Sequence, residues 1–132
     1  MTSSRRGGVV FRVDGALSFL PADVAIKVMP VPEMARIPGA PPELRGVALV
    51  EGDMIPVIAG GIHAQMMHDE GAAAMLVCVV LGERVGLVGI EVVATGHFVA
   101  SSETTVECDA GVASLFDVNE IIATVREGRW AV

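Results

Sequence analysis

"RIPGAPPELRGVALVEGDMIPVI", Arg36 to Ile58, joins a proline-punctuated turn to two short runs of branched apolar residues. Pro38, Pro41 and Pro42, with Pro30 and Pro32 upstream, disfavour helix and favour turn or polyproline conformations. After them "GVALVE", the turn "EGD" and "MIPVI" read as a β-hairpin. Pro56 cannot donate to a ladder, so the second arm is expected at an edge or bulged there. No ordinary catalytic motif has this form, and an apolar hairpin with a charged rim suits a surface presented to another protein.

The same pattern extends in both directions. "VVFRV" (Val9 to Val13), the turn "DG" at Asp14 and Gly15, and "ALSFLP" make another hairpin. "DVAIKVM" alternates Val24, Ile26 and Val28 against Ala25, Lys27 and Met29, the period of a half-buried strand with one face left for a partner. Downstream, "AMLVCVVL", "GER" and "VGLVGIEVVATG" form a long hairpin whose near-continuous apolar arms imply strands covered on both faces. Between them, "AGGIHAQMMHDEGAA" (Ala59 to Ala73) reads as a link between two β units. "SLFDVNEIIATVREG" holds the one convincing helix, with Asp117 as N-cap, Glu120 three residues later and Gly128 as the stop. The chain reads as mainly β, one domain over 1–132, with approximate units at 9–60 and 72–127.

Composition narrows the function. The chain has 132 residues, enough for one core, and is 52% apolar with a net charge of −7. Its longest apolar run, Ala72 to Leu81, falls well short of the roughly 20 residues of a spanning helix. "MTSSRRGG" leads into a strand rather than a signal-peptide apolar region, so a soluble cytoplasmic protein is expected. The nine Lys and Arg are scattered and aromatics are few, which disfavours nucleic acid. Cys78 and Cys108 lie too far apart for a zinc CxxC motif and read as reduced thiols, Cys78 buried.

Candidate chemistry is sparse. His63, His68, Asp69 and Glu70 form the only cluster resembling a metal or acid–base site. A five-residue spacing does not stack two imidazoles on one helix face, and a solvated polar linker is the plainer reading. His97 stands alone on an expected strand. There is no GxSxG nucleophile motif, no phosphate loop, and no pair of carboxylates with opposed environments. Neither catalysis nor a cofactor is expected.

"FRVDGALSFLPADVAIKV", "RIPGAPPELRGVALVEGDMIPVI", "LGERVGLVGIEVV" and "LFDVNEII", in that order, resemble the CheW-like adaptor domain of bacterial chemosensory systems. Gly46, Val47, Gly52, Pro56, Val57, Val85, Gly86, Leu87, Val88, Asp117 and Val118 fall on the family pattern, and the likeness spans roughly residues 9 to 125. It implies two small SH3-like barrels packed together with a short C-terminal helix. It also implies a non-enzymatic adaptor that couples a CheA-type histidine kinase to chemoreceptors. A partner-binding surface is then expected at Lys27, Val28, Arg45, Glu51, Asp53, Ile55, Val88 and Ile90.

The chain departs from the pattern informatively. The family's Glu in Val-x-Glu-Val falls on Lys27, its Arg in Asn-Leu-Arg-Gly on Glu51, its Asp after Pro-Val on Ala59, and a later Asp on Ile90. If Lys27 and Glu51 are neighbours, a Glu/Arg pair has become a Lys/Glu pair of reversed polarity. The plainer reading is two solvated residues that drifted. The alternative function is therefore a divergent accessory that has lost kinase or receptor binding and serves a dedicated motility or signalling pathway. The stretch Val93 to Val112 is also short for the family, so the second barrel is expected to have a shortened or missing strand, exposing an edge for a homodimer or another partner.

Overall fold

Two residues suffice to turn three of the hairpins. Asp14–Gly15, Glu51–Gly52 and Leu81–Gly82 each place both residues at positive φ (50° and 82°, 50° and 88°, 53° and 78°), the type I′ geometry whose twist matches that of paired strands. The computed structural model describes residues 4–61, 74–119 and 123. Within them lie nine strands: β1 (Arg5–Val13), β2 (Ala16–Pro21), β3 (Ala25–Pro30), β4 (Leu44–Val50), β5 (Asp53–Ala59), β6 (Ala74–Val80), β7 (Glu83–Ala100), β8 (Thr105–Cys108) and β9 (Gly111–Leu115). The expected C-terminal helix is seen at Val118, Asn119 and Ala123, and its remaining residues lie outside those described.

The pairings run in two circuits that share β7. In one, β1 pairs β2, β2 pairs β9 in parallel, β9 pairs β8, β8 pairs β7, and β7 returns to β1. In the other, β4 pairs β5, β5 pairs β7 in parallel, β7 pairs β6, and β6 pairs β3. A single bridge closes the second ring, where Ala35 and Val47 exchange both backbone hydrogen bonds at 2.9 Å. Gly46 makes this possible, because a Cβ there would stand 2.6 Å from the Ala35 carbonyl oxygen.

This pairing differs from the expected division into two units along the chain. The stretches 9–60 and 72–127 each give strands to both rings, because the 18-residue β7 runs through both. Such long-range pairing leaves no local trace in the sequence. The stretch after Val93 agrees with the shortened rather than the missing alternative: β8 and β9 are present but short, at four and five residues, and each is paired on both sides.

Three apolar clusters hold the rings. Val10, Phe19, Phe98, Val106 and Ala113 belong to the first ring. Ala48, Val50, Ile55, Val57, Met75, Val77 and Val88 belong to the second. The largest cluster joins Phe11 and Leu20 of the first to Ile58, Leu76, Leu87 and Ile90 of the second. Adjacent residues such as Leu76 and Val77, or Leu87 and Val88, enter different clusters, so β6 and the part of β7 from Val85 to Ile90 are covered on both faces as their apolar runs imply, whereas Glu91 to His97 are half-buried or exposed.

Candidate partner-binding face

Lys27 projects from β3 and Glu51 sits in the β4–β5 turn, and the two meet with Lys27 Nζ 2.5 Å from Glu51 Oε1. Their proximity answers the question posed by the two departures: they form one pair. Glu51 occupies a left-handed position that Asn, Asp or Gly would ordinarily take. The parallel pairing of β5 with β7 brings in Arg84, whose guanidinium lies 3.6 Å from Glu51 and 3.8 Å from Asp53. Two cations and two carboxylates thus form a network at one end of the second ring. The Lys27 hydrogen bond and charge, with a smaller contribution from Arg84, hold the Glu51 carboxyl below its ordinary range. That depression favours the ionised network above the ordinary carboxylate pKa and is lost as pH falls through the lowered value.

Beside the network the hairpin presents apolar side chains to solvent. Leu49 and Met54 face each other across β4 and β5 and are 64% and 61% exposed. Val47 and Pro56 form the next pair on that face. Pro56 is tolerated because β5 pairs β7 only from Val57 onward, leaving that side of Pro56 unpaired. A cleft of about 480 Å³ runs between Met54 and Pro56 on one side and Gly82 to Arg84 on the other.

Of the residues expected at a partner surface, Lys27, Glu51 and Asp53 come together, and Val28 is exposed next to Lys27. Ile26 and Val28 lie on the open side of β3; a register shift between Ala25 and Lys27 breaks the strict alternation of that strand. Arg45 is half-buried six positions before Glu51, about 20 Å along the strand, beside the cleft formed by Ile37 and Pro41. Ile55, Val88 and Ile90 are core residues, at 2%, 0% and 6% exposure. They cannot touch a partner on the intact fold. Arg84, Leu49 and Met54 were missed, although two apolar residues flanking the Glu51–Gly52 turn in register were a readable signal.

Of the remaining candidates, Cys78 and His97 take no part in this network. Cys78 is buried, and desolvation pushes its thiol up to about 12. His97 is exposed on β7. His63, His68, Asp69 and Glu70 lie outside the described residues. Among the described residues no three His, Cys, Asp or Glu side chains converge as a metal site, and no helix is long and apolar enough to cross a membrane.

The second ring thus carries an exposed apolar hairpin beside a four-charge network. The CheW-like domain family model matches residues 7–113, and the chain belongs to this family of chemotaxis adaptors, which are scaffolds rather than enzymes. Among solved structures it is similar to the crystal structure of the scaffolding protein TtCheW from Thermoanaerobacter tengcongensis. The TM-score is 0.69 at 15% identity, over 92% of this chain and 88% of that one, a likeness of fold. No curated protein matches the sequence.

Proposed function

We propose that this chain is a cytoplasmic coupler that links a CheA-type histidine kinase to chemoreceptors, with the Lys27–Glu51–Arg84–Asp53 face of the second ring as its kinase contact. The observation that carries this reading is the joining of that network to exposed Leu49 and Met54. Apolar side chains supply contact area, and a fixed charge pattern beside them selects the partner by sign. Lys27, Val28, Glu51 and Asp53 are its contact residues, joined by Arg84.

The reversed Lys27/Glu51 polarity supports a second reading, a divergent accessory that has lost kinase or receptor binding. Like charges brought together across an interface cost several kcal/mol, so a partner built for the family pattern is rejected and a partner with matching reversal is accepted.

Reconstitution separates the two. Kinase, receptor-containing membranes and this chain are mixed, and kinase autophosphorylation is followed with and without attractant. A coupler makes the rate receptor-dependent in proportion to added chain. An accessory leaves the rate at that of kinase alone.

A further inference from the structure

β7 is far longer than any of its neighbours, and over part of its length one side carries no ladder among the described residues. From Glu83 to Ile90 it pairs with β6, and from Glu91 to Val99 with β1. β8 joins it only at Val99 and Ala100. The eight residues from Glu91 to Phe98, about 25 Å of extended chain, therefore pair with β1 alone among the described residues. Past the Val99–Glu107 pair the strands part, and Cys108 pairs with Gly111 rather than with β7. A cleft of about 400 Å³ opens there, lined by Val93, Ala94, His97 and Phe98 on β7 and by Cys108 and Asp109 opposite.

The backbone groups facing this cleft can be assigned. Ala100 donates its N–H to the Ser4 carbonyl, on the β1 side. By strand alternation Phe98 and Gly96 also turn their peptide groups toward β1, while Val99, His97 and Thr95 turn theirs toward β8. Val99 meets Glu107. Thr95 and His97 meet no strand on that side among the described residues, and both are exposed. Natural edges are usually guarded by lysine, proline or a covering loop. The Glu91–Phe98 stretch has no Lys or Pro, and its one acidic residue, Glu91, is held by Arg12 at 3.6 Å.

We infer that the Glu91–Phe98 edge of β7 is a strand-accepting site for an extended, net-positive segment of a partner protein. Evenly repeated N–H and C=O groups along an edge are matched by another extended backbone. Val93, Ala94 and Phe98 offer an apolar floor for alternate side chains, and Glu107 and Asp109 outweigh Arg5 among the charges at the cleft. This site is separate from the Lys27–Glu51 face and does not depend on the kinase reading.

The test starts from a displayed library of random linear peptides panned against the whole chain. A selected peptide is synthesised and titrated while backbone amide resonances are followed. The expected result is a perturbation confined to Val93–Val99 and Cys108–Ala110. Methylating one alternate set of peptide amides should abolish binding and methylating the other should not. His97→Pro removes one cleft-facing donor and should weaken binding about tenfold, the equivalent of one lost hydrogen bond. If that variant does not fold, the methylated peptides read the same contact. Failure to select any peptide, perturbation elsewhere, or indifference to methylation would overturn the inference. Concentration-dependent shifts at this edge without peptide would also overturn it, by making a second copy the occupant.

Discussion

Val88→Ala separates a core role from a contact role at a position that the family pattern places in the motif. Val88 is fully buried, in the cluster with Ala48, Val50, Ile55, Val57, Met75 and Val77. Truncation removes two methyl groups, about 1.6 kcal/mol of transfer free energy at ~0.8 kcal/mol each. Neighbours on paired strands cannot close the void fully, which adds roughly 1 kcal/mol. The expected loss is about 2.5 kcal/mol, or a fall in Tm of about 10 °C for a chain of this size. Urea unfolding followed by far-ultraviolet circular dichroism gives the value directly, with the midpoint lowered and the slope unchanged. A loss below about 0.5 kcal/mol, the range of surface substitutions, would refute the placement. So would a partner-binding defect at unchanged stability.

Three further outcomes are expected. Gly46→Ala forces a Cβ to within 2.6 Å of the Ala35 carbonyl and should cost about 1–3 kcal/mol, read as faster hydrogen exchange at Ala35 and Val47 before the rest of the sheet. Leu81→Asn relieves a branched side chain at φ 53° in an exposed turn and should stabilise by about 1 kcal/mol in the same urea assay. The buried Cys78 thiol, raised from 9.0 to about 12, stays neutral in the folded chain while the unfolded chain ionises. Stability should therefore fall as pH rises from about 9 toward 12, by up to about 1.4 kcal/mol per unit, and Cys78→Ala should flatten that limb.

Much of this architecture could be read from local chemistry. The Asp14–Gly15 and Glu51–Gly52 turns, the arms beside them and the buried β6–β7 hairpin follow from turn residues and β-branched runs. The Lys27–Glu51 pair was legible only through the coupled departures of two positions 24 residues apart. Arg84 was not, because it reaches Glu51 through the parallel pairing of β5 with β7, which no turn announces. Val88 and Ile90 were misplaced for a related reason: a strand buried on both faces carries no alternation to tell an inward residue from an outward one, while Ile55 stands between apolar Met54 and Pro56, so hydropathy alone does not mark it as the inward residue. The sharing of β7 between two rings was equally hidden, since an 18-residue strand with a bulge where Phe11 follows Val10 on its partner looks in sequence like an arm plus a separate strand.

Calorimetric titration against the regulatory domain of the CheA-type kinase from the same organism is the most direct test of the coupling reading. It should be run with the native chain and with Lys27→Glu plus Glu51→Arg. The expected result is binding by the native chain that the swapped pair abolishes, since the swap presents the opposite charge pattern beside Leu49 and Met54. Absence of native binding, with binding restored by the swap, would contradict it and leave a chain that kept the adaptor fold after giving up the kinase.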